Sequence, residues 1–183
     1  MPLVLSMGRM YCQSGTKPCK KGGLNFIYGG NSVKIIEPAT SEEFKKYYNL
    51  RYEVLRKPWL QPKGSERDEE EETSLHRMII NEPNGKAVAV GRLQFNSIEE
   101  AQIRYMAVSD DYQGMGYGSE IVKVLGNIAR EKGSQKIILQ SRENALQFYK
   151  SNGYAIVEKT HLLFGDIQHW LMEKELSSSN KAI

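Results

Sequence analysis

Cysteine is scarce in this 183-residue chain: Cys12 and Cys19 are its only two, both within the first twenty residues. The remainder therefore has neither a disulfide nor a thiolate metal site, and no cysteine nucleophile is expected. Long hydrophobic runs are also missing. No stretch reaches the roughly 18 apolar residues that cross a bilayer, and the opening MPLVLSM is too short for the apolar centre of a signal peptide. A soluble, cytoplasmic protein without a membrane partner is the expectation. Nor is there an excess of base where it would matter. The formal charge is +3, but Arg9, Lys17, Lys20 and Lys21 stand without an acid in residues 1–32, while the rest carries 21 bases against 22 acids. A nucleic-acid-binding face would cluster Lys and Arg on the folded part, so nucleic acid is discounted as a partner. The three histidines, His76, His161 and His169, have no ligand-like local spacing, and a metal site is rejected.

What is present fits one well-buried domain: 183 residues with 40% hydrophobic content. Residues 1–32, rich in Gly, Ser and Lys, read as a flexible leader, and residues 177–183 as a tail. Between them the pattern is regular. VKIIE reads as a strand, and TSEEFKKYYNLRYEVLR as a helix opened by a capping box at Thr40 and Glu43. The stretch KPWLQPKGSERDEEEETS is unusually long for a loop, and such loops are more often functional than accidental. LHRMII, KAVAVGRLQF and AQIRYMAV then form an antiparallel meander. SEIVKVLGNIAREKG is a helix stopped by Gly133, KIILQ a strand covered on both faces, NALQFYKSNG a further helix, and two strands follow.

The segment DDYQGMGYGS, residues 110–119, places three glycines at alternate positions between a strand and a helix. That arrangement builds an anion site, because amides at a helix N-terminus converge and absent side chains admit phosphate oxygens. A nucleotide P-loop is excluded, since Gly118-Ser119-Glu120 stands where Gly-Lys-Ser/Thr is required. A dinucleotide fingerprint would need a small third residue at Ser119 and an early βαβ unit, whereas a meander precedes.

Gln113-x-x-Gly116-x-Gly118 after the strand ending YMAV, with NALQFYKSNGY at its following distance, resembles the GNAT N-acetyltransferase superfamily over about residues 33–175. LRYEVLRKPW, the acids before His76 and GDIQHWLMEK further resemble its small ElaA-like branch. The resemblance implies an α/β domain over residues 33–176: a mixed, mostly antiparallel central sheet with splayed central strands, flanked by helices. It implies acetyl-CoA as acyl donor, its diphosphate on Gln113, Gly114, Met115, Gly116, Tyr117, Gly118 and Ser119, and its pantetheine arm along Met106, Ala107 and Val108. Asn144 is a helix cap, a cofactor contact or both, and Tyr149 matches the family's general acid. The implied reaction is acetyl transfer to a small-molecule or peptide amine, and a homodimer is compatible with the pattern.

The base is not given by the resemblance. Some family members carry Glu on the central strand, but Gln102 stands at the matching position and cannot accept the proton. Glu66, Asp68, Glu69 and the acids on to Glu72, with His76 and His169, are then the candidates for acceptor binding and proton removal; the acidic loop reads first as a solvated charge run and otherwise as a mobile wall that attracts a cationic amine. A domain that binds acyl-CoA without turning it over is the alternative reading, and a dinucleotide-dependent oxidoreductase a third.

Overall fold

The computed structural model describes residues 24–28 and 31–176. Strands β1 (Leu24–Tyr28), β2 (Asn31–Ile36), β3 (Leu75–Asn81), β4 (Lys86–Phe95), β5 (Glu100–Val108), β6 (Lys136–Arg142), β7 (Ala155–Leu163) and β8 (Ile167–Glu175) form one sheet in the order β1-β2-β3-β4-β5-β6-β8-β7. All neighbours are antiparallel except β5 and β6. Parallel neighbours need a crossover, and helix α2 (Tyr117–Glu131) supplies it. Helix α1 (Ser41–Leu55) follows β2, and the short α3 (Leu146–Ser151) follows β6.

Local chemistry sets these limits. The Thr40 hydroxyl accepts from the Glu43 amide at 3.2 Å, and the Glu43 carboxylate accepts from the Thr40 amide at 3.0 Å, which closes the expected capping box. Such a cap contributes about 1 kcal/mol. Pro58 lies just beyond the helix, in a single 3-10 turn over Lys57–Trp59. At the other end of the chain, Gly133 takes a left-handed φ of 93° directly after the C-cap of α2.

The sheet buries both faces. Ile121, Val122 and Leu125 of α2 pack with Ala101, Ile103, Ile137, Leu139 and Met172, together with Tyr149 of α3. Tyr47 and Leu50 of α1 pack on Met78, Val90 and Ala107 from the opposite side. Side chains alternate along a strand, so Ile137 and Leu139 face α2 whereas Gln140 and Arg142 face α1. Arg142 confirms this by donating to the carbonyl of Leu55, at the end of α1.

One defect breaks the alternation on β5. Its register with β4 passes from Val90↔Ala107 to Arg92↔Arg104, so Tyr105 and Met106 together oppose Gly91. Tyr105 sits at φ 52°, a left-handed conformation uncommon for a bulky residue. Before this bulge Ala101 and Ile103 belong to the α2 side; after it Met106 and Val108 do, while Ala107 turns to α1. Gly91 is required opposite the bulge, since a Cβ there would lie 2.7 Å from Ile121 Cγ2.

The N-terminal boundary of the domain needs correction. Leu24–Tyr28, within the stretch expected to be a flexible leader over 1–32, pairs in register with β2 from Leu24↔Ile35 to Tyr28↔Asn31. The flanking glycines suggested a linker, yet Gly29-Gly30 between two β-rich runs is also a hairpin signal. Residues 1–23 and 29–30, and the expected tail 177–183, lie outside the described residues.

Candidate active site

Strands β5 and β6 pair only from Glu100↔Lys136 to Ile103↔Leu139. Beyond that point β5 continues on β4 as far as Val108, and β6 on β8 as far as Arg142. The two central strands therefore splay, and their facing peptide groups lose a ladder partner that some other group must replace. A cavity of about 750 Å³ opens in the gap, walled by Gln102–Val108, Leu139–Arg142, the N-terminus of α2 and residues of α3.

The glycine turn closes one end of this cavity. Gly114 and Gly116 both have left-handed φ, 75° and 83°, and Gly116 is the N-cap of α2 with no side-chain capping bond. A helix N-terminus without a side-chain cap presents amides and the positive end of its dipole to whatever lies beyond it. The third glycine has a different purpose. A Cβ on Gly118 would meet Phe148 Cζ at 3.1 Å and Met106 Cε at 3.4 Å, so Gly118 lets α2 pack on α3. Met106, Ala107, Val108, Gln113, Gly114, Gly116, Tyr117, Gly118, Ser119 and Asn144 all line the cavity. Met115 does not; it is exposed on the outer side of the turn. Asn144 is not the helix cap either: the N-cap of α3 is Ala145, and Asn144 belongs to a 3-10 turn over Glu143–Ala145.

Tyr149 is both core and cavity wall. Its ring packs edge-on against Phe148, with centroids 4.9 Å apart, and against Tyr154 at 5.8 Å. Its hydroxyl makes no hydrogen bond with any described residue, although the side chain lines the cavity. Burial pushes its pKa up, with the charge of Arg142 opposing, so the phenol keeps its proton at neutral pH.

The α1 side of the gap holds Arg56, Arg142, His161 and His169. The rings of His161 and His169 stack in parallel, 4.9 Å apart. His169 Nδ1 lies 2.9 Å from the carbonyl of Ile167, which fixes it as the N–H donor and leaves Nε2 as a lone-pair acceptor. Burial lowers the pKa of His169; the Ile167 carbonyl opposes this, and His161, Arg142 and Arg56 reinforce it. His169 is neutral at pH 7. Gln102 also lines the cavity, with its carbonyl turned toward the amides of Gln94 and Asn96.

The remaining candidates lie elsewhere. His76 is buried beneath α1 against Phe44 and Tyr47, and its Nε2 bonds the carbonyl of Glu71 at 2.8 Å. Glu66, Asp68 and Glu69 are likewise absent from the cavity walls. Two acids of the loop, Asp68 and Glu71, neutralise two fully buried arginines and tie the loop to the sheet, while Glu69, Glu70 and Glu72 are exposed to solvent. Glu71 takes a bidentate pair of 2.9 Å bonds from Arg51 and a further bond from Arg92 at 2.7 Å. Asp68 binds Arg92 through both oxygens, one of them at 2.9 Å, and accepts from the Tyr105 hydroxyl at 3.1 Å. Burial alone would raise the Asp68 pKa, yet Arg92 holds it down to about 2. A carboxylate so held is no base at neutral pH. Glu66 accepts from the Gly64 amide at 2.7 Å, and Glu69 lies in a 3-10 turn capped by Asp68.

Residues 42–154 match the model of the Acetyltransferase (GNAT) family, more than half of the chain. The chain belongs to the GNAT acetyltransferase family. As a GNAT enzyme it uses acetyl-CoA as donor and transfers the acetyl group. The uncharacterized N-acetyltransferase YjcF of Bacillus subtilis is 27% identical over 143 residues, which cover 78% of this chain and all of YjcF. Among solved structures, Escherichia coli ElaA superposes with a TM-score of 0.64 at 17% identity, covering 78% of this chain and 99% of ElaA. A GNAT acetyltransferase from Elizabethkingia anophelis with acetyl-CoA bound gives a TM-score of 0.60 at 16% identity, over 79% and 98% of the two chains. These likenesses agree with the expected fold, and the ElaA-like branch is represented among them. No helix among the described residues is long and apolar enough to cross a membrane.

Arg56 and Arg142 escaped the sequence reading. Each adjoins a segment that had drawn attention, KPW in one case and ENALQFY in the other, but only the fold brings them together. Both bond the carbonyl of Leu55, Arg56 Nη1 at 3.1 Å and Arg142 Nη2 at 3.5 Å.

Proposed function

We propose that acetyl-CoA lies in the gap between β5 and β6, with its diphosphate on the turn 113–119 and its pantetheine arm along Met106–Val108. The acceptor amine enters from the α1 side, across the sheet from α2 and α3. Tyr149 carries this reading: a buried, protonated hydroxyl with no hydrogen-bond partner among the described residues, in the wall of a gap where β5 and β6 part.

The amine nitrogen attacks the thioester carbonyl carbon, and a tetrahedral oxyanion forms. As the C–S bond breaks, the sulfur takes the Tyr149 proton and leaves as the CoA thiol. An alkylammonium with a pKa near 10.4 must first lose about 3.4 units' worth of proton affinity at pH 7, roughly 4.6 kcal/mol. His169 receives that proton at Nε2, being neutral and open on that nitrogen. The adduct nitrogen gives up its second proton, which returns through water to the Tyr149 phenolate, and His169 releases its own proton to solvent, so the amide, the CoA thiol and both side chains are left in their resting protonation states. Gln102 orients but does not titrate.

Binding of acetyl-CoA to the native state raises the melting temperature. Gly116→Asp places a carboxylate where the diphosphate is seated and forces a side chain into left-handed backbone, so the acetyl-CoA shift should be lost while NAD gives none in either protein. A full acetyl-CoA shift in Gly116→Asp contradicts the assigned seat. Binding without thiol release, for any amine, would make the domain a binding module instead.

A further inference from the structure

Twenty-eight residues line the gap, and among them stand Arg56, Arg104, Arg142, His161 and His169 but no aspartate or glutamate. Arg104 reaches out to Asp68 at 3.9 Å and is partly exposed. Arg56 and Arg142 are different: neither forms an ion pair with a described residue. Arg56 donates from Nε to the Ser65 carbonyl at 2.8 Å and from Nη1 to the Leu55 carbonyl at 3.1 Å. Arg142 has only the 3.5 Å bond to Leu55. Their planes rest against aromatic rings, Arg56 between Tyr105 and Phe164 at 5.4 and 5.5 Å and Arg142 over Trp59 at 5.8 Å. Glu66 acts on Arg56 only at a distance, as the smallest of its electrostatic influences, while its carboxylate holds the Gly64 amide and faces Arg67 at 3.5 Å.

Two guanidinium groups converge on the Leu55 carbonyl, and neither is ion-paired to a carboxylate among the described residues; burial pushes both down in pKa, and Arg56 lowers that of Arg142 further. The donor's diphosphate does not provide the counter-charge, because its seat lies at the N-terminus of α2 whereas Arg142 faces α1. Building on the acetyl-transfer reading above, we propose that the acceptor carries an anionic group, a carboxylate or a phosphate, which Arg56 and Arg142 hold on the α1 side of the gap. Arginine forks suit such groups, since they meet two oxygens with two parallel N–H donors. The amine then reaches inward from its anchored end to the thioester. This reverses the expectation of a cationic acceptor drawn by the acidic loop, two of whose acids, Asp68 and Glu71, are held by Arg92 and Arg51 and none of which lines the gap.

The test uses matched amines at saturating acetyl-CoA: ethanolamine against phosphoethanolamine, and propylamine against β-alanine. Thiol release should favour at least one anionic amine over its neutral partner by about tenfold or more in kcat/KM, and the two arms tell phosphate from carboxylate. Arg56→Gln and Arg142→Gln should each erase that preference by raising the acceptor KM, with the acetyl-CoA melting shift intact and partial recovery in the Lys variants. If none of the four amines turns over, melting of the CoA-loaded protein decides: an anionic amine raises it in the wild type but not in Arg142→Gln. No such rise, equal turnover of neutral and anionic amines, or a preference that survives both substitutions overturns the proposal. Loss of the wild-type acetyl-CoA shift would instead overturn the donor reading, and the proposal with it.

Discussion

Two pairs of arginines stand on the α1 side of the sheet, and their surroundings differ. Arg51 and Arg92 are fully buried, and every charge they bring is met by Glu71 and Asp68, with the Tyr105 ring 3.8 Å below the Arg51 guanidinium. Arg56 and Arg142 are half-buried, share one backbone carbonyl and form no ion pair with a carboxylate among the described residues. The first pair fastens the long loop to the sheet. The second faces a cavity. Residue type is the same in both pairs; what separates them is neutralisation, complete in the first and absent among the described residues in the second, together with the deeper burial of the first.

Breaking the first pair should have the largest effect on the fold. Glu71→Ala strands positive charge in the interior, and removing one partner of a buried pair costs about 3–5 kcal/mol. Urea unfolding should show that loss, while Arg142→Gln, which relieves a like-charge contact, should change stability by less than about 1 kcal/mol. Equal losses from both substitutions would erase the distinction between the pairs.

A smaller effect should appear in acid. Asp68 has a folded pKa of about 2 against an ordinary 3.8, so its ion pair with Arg92 contributes fully above pH 3.8 and is lost as pH falls toward 2. The urea midpoint should drop across that window, and Asp68→Asn should remove the Asp68 part of the drop. An unchanged profile in Asp68→Asn would place the acid sensitivity elsewhere.

Local chemistry was readable in the residues, and long-range pairing was not. The capping box at Thr40, the turn glycines at 114 and 116 and the helix stop at Gly133 are each decided within a few residues, and each is found where the pattern puts it. The family's order of elements follows from the same local signals. By contrast, Glu71 lies 20 positions from Arg51 and 21 from Arg92, so the run DEEEE reads as solvated surface until the loop folds back. Likewise the bulge at Tyr105 has no marker in AQIRYMAV, and the residue opposite it, Gly91, lies on another strand and packs close to α2. His169 and His76 lie on the same side of the sheet, and only the fold separates them, by covering His76 with α1 and placing His169 in the cavity wall.

The most direct measurement is single-turnover thiol release by Tyr149→Phe under conditions where chemistry limits the rate. The substitution keeps the ring packing on Phe148 and Tyr154 and deletes the proton. The rate should fall on the order of 10² to 10³, with the acetyl-CoA melting shift nearly unchanged. An unaltered rate would return Tyr149 to the core and contradict its role as the acid that releases CoA.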